Sequence, residues 1–128
     1  MSTKKPAKIL VVDDESSIRQ SLSAILEDEG FDVFMAHDGA TALELIGKEL
    51  PDAVLLDIWM PGQDGLEVLK EIRTQHPDLK IVMMSAYDGV NERKQAMESG
   101  ADLFLGKPLN IKSIREALKT IQTEPTKN

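Results

Sequence analysis

Cysteine is absent from the 128-residue chain, which excludes disulfide bonds and thiolate metal sites and suits a reducing compartment. Long apolar runs are also missing: none approaches the roughly 20 residues that cross a bilayer, and the stretch after the basic first eight residues stops at Asp13, which excludes a signal peptide. Positive charge is scarce as well. The net charge of −7 repels a phosphate backbone. We therefore expect a cytoplasmic protein segment that binds neither membranes nor nucleic acid directly.

What the chain does contain is typical of one globular domain. Hydrophobic residues make up 41% of it and charged residues 29%. A chain of this length buries about two thirds of the surface that it exposes when unfolded, which is enough for an independent core. We expect one folded domain over residues 8–121, a flexible tail over residues 1–7 and a polar tail over residues 122–128.

Short apolar runs alternate with segments of helical period along the sequence. A continuous apolar run is typical of a strand that is buried on both faces. Five such strands alternating with five helices predict parallel β-α-β units with right-handed crossovers. The expected fold class is therefore α/β, with one open parallel sheet covered by helices on both faces. The predicted strands are Ile9–Val12, Asp32–Ala36, Ala53–Leu56, Ile81–Met84 and Leu103–Leu105.

The predicted helices carry apolar side chains three and four positions apart. The first has Ser16 or Ser17 available as its N-cap and Gly30 as its stop signal. The second runs from about residue 41 to 50 and is expected to bury Leu50. The remaining helices are indicated by Leu66, Leu69 and Ile72, by Asn91–Ser99 followed by Gly100 as a C-cap, and by Ile111, Ile114, Leu118 and Ile121.

Polar residues follow the predicted strands at their carboxyl ends. Asp13 and Asp14 follow the first strand, Asp57 the third, Ser85 the fourth and Lys107 the fifth. In an open parallel sheet, the binding crevice lies beyond these ends. One polar residue after a strand is common, but four polar strand ends with complementary charges favour a common site.

Three carboxylates at adjacent strand ends repel one another unless a cation lies among them. Without cysteine, and with His37 and His76 outside the cluster, the ligands are oxygen atoms, which is the set that Mg²⁺ prefers. Lys107 adds a positive charge and Ser85 a hydroxyl. Such a site is suited to stabilise a phosphoryl group as it moves onto a carboxylate.

Each of these residues also has an ordinary structural interpretation. Asp13 and Asp14 are suited to stabilise the positive end of the first helix dipole, which contributes up to about 1 kcal/mol. Lys107 alone is compatible with a solvated lysine, and Ser85 alone with a turn. The combination, rather than any single residue, favours the functional interpretation.

Four segments together resemble the receiver domains of bacterial two-component response regulators: Val11–Glu15, Asp57–Gly65, Ser85-Ala86 and Lys107-Pro108. The resemblance extends from about Lys8 to Ile121. It implies a flavodoxin-like (βα)5 fold whose five-stranded parallel sheet has the order 2-1-3-4-5. Periodicity alone does not fix that order.

The resemblance implies a role for each carboxylate in the cluster. Asp57 is similar to the phosphoryl acceptor of these domains. Asp14 and Asp57 are similar to the direct carboxylate ligands of Mg²⁺ or Mn²⁺, and Asp13 to a ligand that acts through water. Trp59 is at the position that supplies a backbone carbonyl to the ion.

The resemblance also implies switching residues. Ser85 is similar to the hydroxyl that turns toward the phosphoryl group, Lys107 to its ion-pair partner, and Lys107-Pro108 to a cis peptide that aims the lysine. Phe104 is at the position of the switch aromatic, which is expected to turn inward on phosphorylation. Trp59 and Tyr87 occupy the two positions that influence phosphoryl lifetime, and large rings there predict slow hydrolysis.

The implied function is that of a signalling switch that catalyses only its own phosphorylation and dephosphorylation. The implied partners are a sensor histidine kinase or a histidine phosphotransferase, with a phosphorylation-dependent homodimer or an output domain acting through the face formed by helix 4, strand 5 and helix 5. Two residues depart from receivers attached to winged-helix domains: Ser113 replaces an acidic residue and Ala117 an arginine, which argues against that output. The residues expected on the partner face are Lys94, Met97, Arg115 and Lys119.

Three other functions fit the sequence less well. A Mg²⁺-dependent phosphohydrolase would carry a D-x-D turn after strand 1, where this chain has Asp13-Asp14-Glu15. A flavin-binding electron carrier would need a Ser/Thr/Gly-rich phosphate loop there, and the acidic run would repel the flavin phosphate. A purely structural interaction module would not require the assembled polar residues.

Overall fold

Five strands and five helices alternate in the computed structural model, which describes residues 7–86, 90–107 and 109–122. All neighbouring strands in the sheet are parallel, in the order β2-β1-β3-β4-β5. The predicted α/β class and the implied flavodoxin-like order are confirmed. The elements are β1 (Lys8–Val12), α1 (Ser16–Asp28), β2 (Asp32–Ala36), α2 (Gly39–Glu49), β3 (Ala53–Asp57), α3 (Gly65–Gln75), β4 (Lys80–Ser85), α4 (Val90–Glu98), β5 (Leu103–Gly106) and α5 (Ile111–Gln122).

Continuous apolar strands are needed because the sheet has a hydrophobic core on each face. All five residues of β3 are buried. Along β1, Leu10 and Val12 pack with the core beneath α2 and α3, whereas Ile9 and Val11 pack with α1 and α5 on the other face. In β1, β3 and β4, side chains that alternate between two apolar layers leave no position for a polar residue between the first residue and the carboxyl end.

The entries of the first two helices differ from those predicted. Neither Ser16 nor Ser17 is the N-cap of α1. That position belongs to Glu15, whose side chain makes no capping hydrogen bond. The N–H of Glu15 donates to Asp13 Oδ1 at 3.0 Å, and this local turn brings the chain into the helix by Ser16. Helix α2 starts earlier than predicted because Asp38 accepts the N–H of Thr41 at 2.8 Å.

The expected burial of Leu50 is wrong. This residue is 69% exposed and forms the C-cap of α2 with φ 52° and ψ 61°. A left-handed backbone turns its side chain away from the apolar stripe of the helix, and Ala42 and Ile46 fill the core instead. Gly30, with φ 96° just beyond α1, confirms the predicted stop signal.

Parallel strands bring the polar strand ends to one edge of the sheet. Asp57 ends β3 and Ser85 ends β4, one register position beyond Met84, the partner of Asp57. The N–H of Lys107 donates to the Ser85 carbonyl at 2.7 Å, which fixes the lysine to the same edge. Across the described ranges, no helix is both long and apolar enough to span a bilayer.

Candidate functional site

Three carboxylates meet at the carboxyl edge of the sheet. One oxygen atom from each of Asp13, Asp14 and Asp57 lies within 4.8 Å of the other two. Asp13 is 0% and Asp57 3% exposed, whereas Asp14 is open to solvent. Buried like charges are unfavourable in the absence of a compensating cation. The donor set fits a hard divalent ion, because it consists of carboxylate oxygens and has one open side.

Lys107 supplies part of the compensating charge. Its Nζ lies 2.8 Å from Asp13 Oδ2 and 3.3 Å from Asp57 Oδ2. Burial alone would lower the pKa of Lys107, but the hydrogen bond to Asp13 and the charges of Asp57 and Asp13 outweigh it, so the pKa is raised. The lysine therefore remains a cation between two acids.

Asp57 is the carboxylate whose protonation the site perturbs. Burial, and next the negative charge of Asp13, raise the pKa of Asp57 to about 6. The ammonium group of Lys107 and the N–H of Trp59, 3.4 Å from Asp57 Oδ1, oppose this rise. Asp57 is therefore mostly ionised at neutral pH, as a nucleophile must be, and it lies close to the range in which it becomes neutral.

The loop after Asp57 folds back on itself at a glycine. A short antiparallel pair, Trp59–Met60 with Gln63–Asp64, leads to Gly65, whose N–H donates to the Ile58 carbonyl at 2.9 Å. A Cβ at Gly65 would collide with the Ile58 backbone and lie 2.7 Å from the Asp57 carbonyl. Only glycine permits this approach, so Gly65 fixes the backbone that carries Asp57.

Ser85 lies inside the site and contacts a residue that the sequence did not single out. Its hydroxyl is fully buried and donates to Glu92 Oε1 at 3.1 Å. The other oxygen, Glu92 Oε2, accepts the indole N–H of Trp59 at 3.0 Å. The available signal for Glu92 was modest: it is the acidic residue in the first turn of α4, the helix that follows Ser85.

Phe104 already occupies an inward position, with 4% of its surface exposed. The guanidinium of Arg93 lies 4.8 Å from the ring centroid, and Nη1 donates to the Phe104 carbonyl at 3.3 Å. The ring is therefore already buried in this structure, whereas the resemblance predicts that it turns inward on phosphorylation. Arg93 was also missed by sequence analysis, because its contact with β5 is tertiary.

The other predicted residues differ in where they lie. His37 pairs with Asp38 at 3.3 Å, and neither His37 nor His76 belongs to the carboxylate cluster, as predicted. Arg115, expected on the α4–β5–α5 face, contacts Glu29 next to α1 at 3.1 Å, so its guanidinium is directed toward α1. Tyr87 and Pro108 lie outside the described residues.

Comparison with known proteins gives a consistent result. The family model for the response regulator receiver domain matches residues 9–119. Response regulator MprA of Mycolicibacterium vanbaalenii is 40% identical over 121 residues, which cover 94% of this chain and 52% of that protein. The receiver domain of NtrX from Brucella abortus is 38% identical with a TM-score of 0.86, covering 91% of this chain and 99% of that one. Chemotaxis protein CheY4 of Vibrio cholerae is 33% identical with a TM-score of 0.85, covering 91% and 98%.

The chain spans about half the length of the curated relatives that it matches. The solved structures of CheY4 and of the NtrX receiver domain, by contrast, are matched over nearly their full length. The similarity therefore concerns one domain, and the matched range, residues 9–119, spans all five polar residues at the carboxyl edge of the sheet.

Proposed function

This chain belongs to the response regulator receiver family, the signalling switches of two-component systems, and we propose that Asp57 is its phosphoryl acceptor. The observation that carries the proposal is the position of Asp57. It is a nearly buried nucleophile at the end of the central strand, with Asp13, Asp14 and Lys107 around it. Family membership also sets aside the phosphohydrolase and the flavin carrier.

The proposed reaction is a transfer from a phosphohistidine of a sensor kinase or histidine phosphotransferase. A carboxylate oxygen of Asp57 attacks phosphorus, the new P–O bond forms, and the P–N bond breaks with its electron pair leaving on the imidazole. Lys107 offsets negative charge on the phosphoryl group, and the Ser85 hydroxyl donates to one of its oxygens. Water later attacks phosphorus, the P–O bond to Asp57 breaks, and phosphate and the free Asp57 carboxylate are formed.

Mg²⁺, or Mn²⁺, fits this proposal because the donor set is oxygen-only and carries more negative charge than Lys107 offsets. When bound, such an ion supplies further charge neutralisation at the phosphoryl group. Asp14 and Asp57 would hold it directly, Asp13 through water, and Trp59 through its backbone carbonyl.

The output is proposed to involve the face formed by α4, β5 and α5. Arg93 of α4 contacts both the ring and the carbonyl of Phe104 in β5, so a shift of α4 changes that face. We propose that this face binds a second copy of the chain or an output domain in the cytoplasm, without direct contact to nucleic acid or membrane. The exposed Met97 of α4 is an apolar anchor for such a contact.

Incubation with acetyl phosphate and Mg²⁺ tests the acceptor. Intact mass spectrometry is expected to show one added phosphoryl group on the wild type and none on Asp57→Asn. The matched control is Asp78→Asn, which replaces an exposed aspartate between α3 and β4. This variant should be phosphorylated like the wild type. Addition of a chelator should abolish labelling. Wild-type labelling of Asp57→Asn would contradict the assignment.

A further inference from the structure

Glu92, in the first turn of α4, bridges two groups at the mouth of the site. One carboxylate oxygen accepts the Ser85 hydroxyl at 3.1 Å, and the other accepts the Trp59 indole N–H at 3.0 Å. Ser85 is fully buried, whereas Trp59 is 54% exposed. The bridge therefore joins the interior of the site to its outer rim and fixes the start of α4 to both.

The bridge and a phosphoryl group on Asp57 make conflicting demands on Ser85. A serine hydroxyl has one proton to donate, and here that proton is donated to Glu92. A phosphoryl oxygen can accept this hydrogen bond only if the Ser85 hydroxyl turns away from the Glu92 carboxylate. Ser85 follows Met84, the register partner of Asp57, so the competing acceptor lies on the adjacent strand end.

Charge adds to this conflict. A phosphoryl group carries close to two negative charges at neutral pH. Glu92 lies one hydrogen bond from the hydroxyl that would contact the phosphoryl group, and like charges at that separation repel. Lys107 offsets only part of this charge, because the same ammonium group also contacts Asp13.

We propose that Glu92 is a positioning residue for phosphorylation: it holds the Ser85 hydroxyl and the Trp59 indole together, and it must leave Ser85 when Asp57 carries a phosphoryl group. This inference rests on the proposed function, since it requires Ser85 to contact the phosphoryl group. Release of Glu92 frees the start of α4, and the next residue, Arg93, contacts Phe104. The adjacent residues Glu92 and Arg93 thereby link the site to β5.

The test is the affinity for beryllofluoride, which stands in for a phosphoryl group on the aspartate, measured by calorimetry in saturating Mg²⁺. Glu92→Ala removes the charge-assisted hydrogen bond to Ser85 at a partly open site and should bind beryllofluoride about fivefold more tightly than the wild type. Glu92→Gln keeps a neutral acceptor and should show a smaller gain in affinity. Trp59→Phe, which keeps a ring but loses the N–H, should show a smaller gain. Glu98→Gln removes the same charge from the other end of α4 and should change nothing.

A double-mutant cycle separates positioning from a general charge effect. In a Ser85→Ala background, Glu92→Ala should change the beryllofluoride affinity less than about twofold, because no hydroxyl remains to be released. The inference would be overturned if Glu92→Ala raised the beryllofluoride affinity equally with and without the Ser85 hydroxyl, or did not raise it in the wild-type background. Asp57→Asn is the negative control. If the wild type itself fails to bind beryllofluoride, the proposed function fails, whereas normal binding with no Glu92 effect refutes only this inference.

Discussion

Lys107 Nζ donates to Asp13 Oδ2 at 2.8 Å, across 94 positions of the sequence. The contact is shorter than the 3.3 Å between the same nitrogen and Asp57 Oδ2. The lysine is therefore anchored on a carboxylate that is not the proposed acceptor. This arrangement holds the charge of Lys107 beside Asp57, with the shorter hydrogen bond made to Asp13.

Metal binding is expected to depend on pH through Asp57. A ligand must lose its proton before it binds, and the pKa of Asp57 is raised to about 6. The affinity for Mg²⁺ should therefore fall about tenfold between pH 7 and pH 5. Calorimetric titration across this range measures it. Asp13→Asn removes a charge that raises the pKa of Asp57, so its midpoint should lie at lower pH. A pH-independent affinity would contradict the environment described for Asp57.

The free energy of unfolding of the metal-free protein should depend on the protonation of Asp57 in the opposite direction, falling as pH rises. The pKa of Asp57 is higher in the folded chain than its ordinary value of 3.8, so its contribution favours folding below that value and is lost as pH rises through about 6. At pH 7, Asp57→Asn should raise the free energy of unfolding by about 1–2 kcal/mol. Urea denaturation measures the difference. Near pH 4 it should shrink, and a variant that is less stable at pH 7 would contradict the prediction.

Glycine is expected to be required at one position and dispensable at another. Gly65→Ala should lower the free energy of unfolding by about 2 kcal/mol or more and slow phosphorylation, because its Cβ would collide with the backbone of Ile58. Gly47 is the matched control: it lies within α2, and a Cβ there meets no atom within 4 Å. Gly47→Ala should stabilise the protein by about 0.5–1 kcal/mol. Denaturation and labelling rates of both variants test the pair.

The lifetime of the phosphoryl group should depend on Trp59. Its indole N–H donates to Glu92 at 3.0 Å, and we expect the ring held in this way to hinder the approach of an attacking water. Trp59→Asn should speed hydrolysis several-fold, because it removes the ring and supplies an amide that can orient water. Tyr87→Glu is predicted to act in the same direction. Phosphate release after removal of acetyl phosphate measures both rates, and unchanged rates in both variants would refute shielding.

Local pattern was sufficient to predict the strands and the polar cluster. A strand such as β3, buried along its whole length, is apolar up to its last residue, and that polar residue, Asp57, marks the carboxyl edge. Parallel topology then brings Asp13, Ser85 and Lys107 to the same edge. The strand order itself came from the resemblance to receiver domains, since alternation of strands and helices is compatible with several orders.

The errors and omissions have different physical causes. The N-cap of α1 was missed because the Asp13 side chain forms the preceding turn, which competes with a serine cap. Leu50 fits an apolar helical stripe, but a left-handed backbone removes it from that stripe. Glu92 lies 33 positions from Trp59, and only the packing of α4 against the site brings the two together.

The hydrogen bond between Trp59 and Glu92 also allows the site to be followed by tryptophan fluorescence. Trp59 is the only tryptophan of the chain, so its fluorescence reports on one location and needs no attached dye. Its N–H points at a carboxylate that is itself bonded to Ser85, and the emission of an indole responds to charge placed there. Rearrangement at the buried serine thus reaches an exposed chromophore through a single side chain. Stopped-flow fluorescence of the unmodified protein is therefore expected to report the proposed rearrangement at Ser85.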